Sequence, residues 1–310
     1  MRGGALGDFI LTLPAIRALR QHWPAATIEL LAHPGIAGLA VVAGLVNRVR
    51  SLDASGVADW FIPHRVWPAR DRADIASFDL ILSYLGDADG VMQANLHAAG
   101  ARRMIACSPI VASGHAADHF LRPVKDLGIA IPAGAGPLLP WPAARRGQGR
   151  HCLKELGVAG TVISLHPGSG SARKNWPVER FALLADRVRR SMSANPLFIL
   201  GEADASAANM LPRLIPDVPV LANRTLLELA SVLAVSQGYV GNDSGVTHLA
   251  AALGVPVVAV FGPTDAAIWG ARGAKVVILR GCAPTSAALA AIDPEVVLQA
   301  LMRSIADSSS

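Results

Sequence analysis

Residues 238–265, GYVGNDSGVTHLAAALGVPVVAVFGPTD, read as strand, tight turn, helix, strand and loop. Residues 238–241 close a short apolar strand, and Asn242-Asp243-Ser244-Gly245 form a turn whose side chains also suit a helix cap. Residues 246–253 are a helix of small residues stopped by Gly254 and Pro256, and 256–261 are a buried-type β run. A helix that starts at a strand end beside Asp, Ser and Gly presents unpaired backbone N–H groups and a partial positive charge, a natural seat for phosphate. An ordinary βαβ unit capped by Asp243 carries the same signature, so the rest of the chain decides between the two.

Upstream of this stretch the chain alternates in the same way. Strands are expected at 161–165, 197–200 and 218–221, and helices at 177–190, 205–214 and 225–234. A last strand follows at 275–279, then an amphipathic helix at 294–305 and a disordered tail at 306–310. The first half repeats the theme. It has strands at 27–32, 48–52, 78–85 and 103–107, and helices at 35–43, 91–99 and 115–127. Such alternation means mostly parallel sheets with helices on both faces. Residues 131–150, IPAGAGPLLPWPAARRGQGR, lose all periodicity and read as an interdomain linker. Residues 54–76 are loop-rich, with Trp60, Trp67, Pro63 and Pro68. They suit either acceptor contact or simple packing. Two doubly wound halves leave a cleft at the carboxyl ends of their strands for a ligand.

The beginning is unusual. Gly3-Gly4-Ala5-Leu6-Gly7-Asp8 passes straight into FILTLPAIRALRQHWP, so a glycine-rich turn enters a helix with almost no strand before it. Asp8 suits the N-cap, and Pro14 predicts a kink.

Composition narrows the class. The chain has 310 residues and a formal net charge of +5; its pI is about 9.6 and its mean hydropathy +0.40. No segment offers roughly 20 consecutive apolar residues, so no membrane span is expected, and the start lacks the apolar core of a secretory signal. Cys107, Cys152 and Cys282 are far apart and form neither a metal pattern nor a disulfide framework, as suits a reducing cytoplasm. Basic residues are scattered and aromatics are only 5%, which speaks against nucleic acid and leaves an anionic small molecule or membrane-surface acceptor.

The residues with chemical potential sit after strands. His166-Pro167-Gly168-Ser169-Gly170 can form an anion-binding nest, with Arg173 and Lys174 following. With Asp243, Ser244, Gly245 and Val246 it favours a diphosphate-bearing ligand in the second half. His248 suits donation to a phosphate oxygen, or plain packing. Glu202 suits the ribose hydroxyls, or an exposed loop. Asp8 is either a cap or the general base for an acceptor hydroxyl. There is no Walker A loop and no convincing GxGxxG, which makes a nicotinamide dehydrogenase a runner-up only, and the remaining His residues are isolated with no HExxH, so no protein-held metal is expected.

Three stretches together, GALGDFILTLPAIRAL (4–19), HPGSGSARKNWPVERF (166–181) and GNDSGVTHLAAALGVPVVAVFGPT (241–264), resemble glycosyltransferase family nine, the ADP-heptose:lipopolysaccharide heptosyltransferases. The resemblance implies a GT-B fold, two Rossmann-like α/β domains facing across a cleft. Residues 1–140 would bind the acceptor, 151–285 the nucleotide sugar, and 286–310 would hold a helix crossing back to the first domain. It implies Asp8 as catalytic base and Lys174 as the lysine meeting the donor phosphates. Asp243, Ser244, Gly245 and His248 would hold the donor. It further implies inverting heptose transfer from ADP-heptose to a lipopolysaccharide inner-core acceptor, without cofactor or metal. A monomer at the cytoplasmic face of the inner membrane is the expected form. The departure from the family pattern is the strand missing before Gly3. Three rival readings stand beside this one: a transferase of another nucleotide sugar, a dinucleotide-dependent oxidoreductase, and a degenerate nucleotide-binding protein.

Overall fold

The computed structural model describes residues 1–54, 56–131 and 136–307. The chain divides into two units, Met1–Ala135 and Gly136–Ser310.

The first unit contains α1 (Leu6–His22), β1 (Glu29–Ala32), α2 (Pro34–Val42), β2 (Arg48–Ser51), α3 (Ala69–Ala76), β3 (Ile81–Ser83), α4 (Val91–Ala98), β4 (Met104–Ala106) and α5 (Ala116–Asp126). β1 pairs with β2 and β3 with β4, all parallel. Residues 1 and 2 stand between the two pairs. The Met1 amine donates to Leu82 O (2.6 Å), Tyr84 N–H donates to Met1 O (3.0 Å), and Arg2 N–H donates to Leu31 O (2.9 Å). Met1 and Arg2 are thereby hydrogen-bonded to both strand pairs. α1 runs unbroken through Pro14 as one 17-residue helix. Its N-cap is Ala5, which corrects the expectation for Asp8; Asp8 is the third helical residue.

The aromatic loop is a packed one where its tryptophans are concerned. Trp60 and Trp67 are buried with ring centroids 6.0 Å apart, and Asn95 Nδ2 donates to Trp60 O and Ile62 O at 2.9 and 2.7 Å. Helix α3 within the same stretch is not evident in the sequence, because polar ARDRAD gives it little apolar periodicity.

The second unit begins with α6 (Ala143–Glu155), then β5 (Val162–His166), α7 (Val178–Met192), β6 (Asn195–Leu200), α8 (Ala205–Leu214), β7 (Val220–Ala222), α9 (Leu226–Leu233), β8 (Gly238–Asn242), α10 (Gly245–Ala252), β9 (Val257–Phe261), α11 (Ala266–Trp269), β10 (Val276–Arg280), α12 (Ser286–Ala290) and α13 (Pro294–Ala306). Residues 143–150 of the expected linker are thus helix. Gly149, which looks like a flexible point, is a packing device: a Cβ there would lie 2.0 Å from Ser231 O of α9. α6 and α9 meet backbone to side on this account, and Arg146 Nη1 donates to Ala234 O. Residues 132–135 of that stretch, and 308–310 of the expected disordered tail, lie outside the described residues; Ala306 itself ends α13.

Among the described residues the second unit's sheet has six parallel strands in the order β10-β9-β8-β5-β6-β7. Counted from β5 this is 3-2-1-4-5-6 read from the other edge, the doubly wound order whose switch point lies between β5 and β8. Both strands are fully buried, as a sheet covered on two faces requires. Phe181, Leu184 and Val188 of α7 recur at helical spacing and bury against Ile163, Leu165 and Phe198. Val297, Leu298 and Leu301 of α13 join the same core. Gly238 of β8 makes room for them, since a Cβ there would lie 2.9 Å from Leu301. Within the second unit α13 packs against α7, β8, β9 and β10.

Candidate active site

The carboxyl ends of β5 and β8 bring the two turns singled out in the sequence side by side. Asn242, fully buried at the end of β8, is the clamp. Its Nδ2 donates to Pro167 O (2.7 Å), its Oδ1 accepts Trp176 N–H (2.9 Å), and its own carbonyl accepts Thr247 Oγ1–H (2.5 Å). The side chain therefore fixes the HPGSG turn and the entry to α7, and the residue's backbone carbonyl fixes the start of α10. Asn242→Ala leaves the Pro167 carbonyl and the Trp176 amide buried without these partners. We expect about 2–6 kcal/mol of lost stability in chemical denaturation, at one to three for each of the two orphaned groups.

α10 starts from this clamp. Its N-cap is Ser244, whose Oγ accepts Thr247 N–H, so the cap falls one residue later than the Asp243 expected. Ser244, Gly245 and Val246 are half-buried, while Thr247 and His248 behind them are buried. The first amides of α10, at Gly245 and Val246, have no acceptor within the helix and carry the positive end of its dipole. His248 donates its own amide to Ser244 O (3.3 Å), and its ring lies within the buried first turn.

Lys174 stands at the same place. Its Nζ donates to Asp243 Oδ2 at 2.8 Å, with the lysine side chain 34% exposed and the aspartate 8%. The pairing gives Asp243 a clear physical job. A buried carboxylate beside a phosphate would repel it, whereas here it holds a cation next to a helix start. Ser169 is engaged within its own loop: its Oγ lies 2.6 Å from Asn175 Oδ1 and accepts Ser171 N–H at 3.2 Å. Gly170 is exposed at the turn's outer end.

Behind the turns lies a buried relay that sequence reading missed. His166 Nε2 is 3.4 Å from Asp204 Oδ2, and His166 Nδ1 is 3.3 Å from Ser244 Oγ. Asp204 also accepts Gly201 N–H at 2.7 Å. Gly168 is glycine because of this acid: a Cβ would lie 1.7 Å from Asp204 Oδ1. The order Asp–His–Ser resembles a hydrolase triad, but Ser244 Oγ is committed to capping α10, so the relay positions the helix start. Glu202, two residues earlier, is exposed at the opening of a short 3₁₀ turn, and Asp204 is the acid of that turn that faces inward. A buried Asp after an exposed Glu has no sequence signal beyond its spacing from the strand.

Burial pushes the Asp204 carboxyl up, but the bonds from His166 and from Gly201 N–H more than offset this and hold it below the usual carboxylate range. A depressed folded-state pKa contributes stability that is complete above the unfolded value, about 4, and is lost as pH falls through the folded one. The expected result is an acid limb of stability below about pH 4 that Asp204→Asn flattens, read from urea unfolding at stepped pH.

Asp8 belongs to the first unit. Its Oδ2 accepts Ala5 N–H (3.1 Å), and its Oδ1 lies 3.4 Å from Nη2 of the buried Arg2. Gly4, at φ +89°, makes this turn, since a Cβ would lie 2.8 Å from Asp8 Oδ2. The Arg2 guanidinium in turn stands 4.4 Å from the centre of the Phe120 ring. The Asp8 side chain remains one-third exposed. Among the described residues no group of three or more His, Cys, Asp or Glu side chains is placed to hold a metal ion. No described helix is long and apolar enough to cross a membrane.

Residues 143–295 match Glycosyltransferase family 9 (heptosyltransferase). Lipopolysaccharide heptosyltransferase 1 of Pseudomonas aeruginosa is 25% identical over 314 aligned positions, covering 92% of this chain and 84% of the relative. Among solved structures, the glycosyl transferase family 9 protein of Veillonella parvula superposes with a TM-score of 0.80 at 20% identity, over 99% of this chain and 96% of that one. The E. coli ADP-heptose lps heptosyltransferase II superposes at 0.79 and 18% identity, over 99% and 98%. These superpositions carry the fold, which is GT-B. The family match spans the clamp, the cation and the helix start alike, and the chain belongs to glycosyltransferase family 9 and is a glycosyltransferase.

Proposed function

We propose that this glycosyltransferase moves heptose from ADP-heptose to a lipopolysaccharide inner-core acceptor, with inversion and without a metal. The observation that carries the reading is the cation held at a helix start: Lys174 Nζ, 2.8 Å from Asp243, beside the leading amides of α10. The diphosphate rests on the Gly245 and Val246 amides and draws Lys174 from Asp243. Backbone dipole and ammonium together neutralise the charge that grows on the departing diphosphate, the task a divalent ion performs elsewhere. His166 and Asp204 act through Ser244 as positioning residues. Gly168, Ser169 and Gly170 shape the turn that faces the donor, with His248 behind the phosphates and Glu202 toward the ribose. Asp8 of the first unit accepts the acceptor's proton as its oxygen attacks the anomeric carbon, and the bond to ADP breaks on the opposite face.

Residues 1–140 serve the acceptor and 151–285 the donor in this reading. The chain works as a monomer on the cytoplasmic side of the inner membrane, where its net charge of +5 suits an anionic acceptor. ADP-heptose and lipopolysaccharide are the chemistry named for the relatives above. The test is transfer from ADP-heptose to a heptose-free inner-core acceptor, followed by mass and anomeric configuration of the product. A parallel thermal-shift series with ADP, UDP, GDP and NAD is expected to favour ADP. A larger shift with another nucleotide, or no heptosyl product, contradicts the assignment.

A further inference from the structure

The loop between β2 and α3 carries three exposed apolar side chains close together: Phe61, Ile62 and Val66. Val66 is 91% exposed, more than any other large apolar side chain among the described residues. Single exposed apolar residues are ordinary, whereas a cluster of them held on a fixed base asks for a partner. The base here is fixed. Trp60 and Trp67, on either side of the cluster, are buried. Asn95 of α4 holds Trp60 O and Ile62 O. Arg65 turns inward, with its guanidinium 4.6 Å from the centre of the Trp67 ring.

The charges beside the cluster are unequal once paired. Arg65 Nη1 lies 2.7 Å from Asp59 Oδ2, and its Nη2 lies 3.6 Å from Asp71 Oδ2. Arg50 of β2 takes Asp74 at 2.6 Å. Arg70 and Arg72 flank Asp71 on α3, are exposed, and make no ion pair among the described residues. Since Arg65 ties Asp71 to the loop, these two cations stand at the foot of the apolar cluster.

A protein partner would need about 800 Å² of matched surface on each side, and three side chains offer only a fraction of that. A bilayer makes no such demand. Its interface accepts a few apolar side chains, and its anionic headgroups attract neighbouring arginines. We propose that residues 61–72 dock the first unit on an anionic bilayer, with Phe61, Ile62 and Val66 entering the headgroup region and Arg70 and Arg72 pairing with lipid phosphates. The proposal extends the reading above, in which the acceptor lies at a membrane. Docking needs no sugar donor, so its failure and the failure of heptose transfer are separate results.

The test is co-sedimentation of the full chain with vesicles of phosphatidylcholine, alone or with phosphatidylglycerol at about one lipid in three. We expect binding to the anionic vesicles alone, weakening as salt rises. Ile62→Ser with Val66→Ser should lower the partition coefficient at least about tenfold. Arg70→Gln with Arg72→Gln should lower it about tenfold and flatten its salt dependence. Val66→Trp should bind more tightly, and its added emission should move to shorter wavelength with anionic vesicles only. Leu183→Ser, at a comparably exposed apolar residue of α7 in the second unit, should bind as the parent does. All these side chains are exposed, so the melts of the variants should match the parent's. No binding to anionic vesicles, equal binding to neutral ones, undiminished binding by the serine pair, or an equal loss from Leu183→Ser would each overturn the proposal. So would a dimer in solution that the serine pair dissolves, because the loop would then be a contact between copies.

Discussion

Lys174→Ala slows sugar transfer by about 10²–10³ while the protein stays folded, the usual cost of removing one electrostatic contact to developing charge. The side chain is one-third exposed, so little packing is lost. What changes is the charge at the start of α10. Without the ammonium, the nearly buried carboxylate of Asp243 faces the incoming diphosphate alone, and repulsion adds to the lost attraction. This gives the prediction a second edge. Lys174→Ala combined with Asp243→Asn should recover part of the lost donor affinity, because the repulsive partner is gone. Lys174→Arg keeps the charge but not the compact geometry and should fall between wild type and alanine. Steady-state kinetics with varied donor separates these cases; unchanged turnover in the alanine variant would remove Lys174 from the mechanism.

Asp8→Asn lowers turnover by about 10²–10⁴, the range expected for loss of a general base, with the donor's apparent affinity retained. The helix start survives, because an asparagine oxygen still accepts Ala5 N–H where Asp8 Oδ2 does now. Stability does not survive untouched. The buried Arg2 guanidinium loses the carboxylate 3.4 Å away, at a cost of about 1–3 kcal/mol. Turnover must therefore be expressed per folded molecule, with the folded fraction taken from a melt of each variant. Near-normal transfer by the folded Asp8→Asn protein would exclude this carboxylate as the base.

The second unit is the more legible half of the chain. Its strands are short, continuous apolar runs and its helices carry strong periodicity, as in Phe181, Leu184 and Val188. The turn at 242–245 announces itself through Asn, Asp, Ser and Gly, yet which of these caps α10 depends on side-chain geometry, and Ser244 takes the place expected for Asp243. α6 was hidden because glycine signals a break in sequence, whereas Gly149 is present so that a neighbouring helix can come close. Asn242 and Asp204 were hidden for a different reason. Their roles are set by partners 66 to 75 residues away for the first and 38 for the second (204 − 166), beyond any local pattern. In the first unit the hydrogen bonds that Met1 and Arg2 make to both strand pairs have no signal in the sequence, because two residues carry no periodicity.

The central claim is that the donor's diphosphate sits on the leading amides of α10 with Lys174 as its cation. A crystal structure with ADP measures this directly. The account predicts the β-phosphate within hydrogen-bonding distance of the Gly245 and Val246 amides, and Lys174 Nζ moved from Asp243 onto a phosphate oxygen. ADP bound with its phosphates away from α10, or Lys174 still paired to Asp243 beside a bound diphosphate, would contradict it.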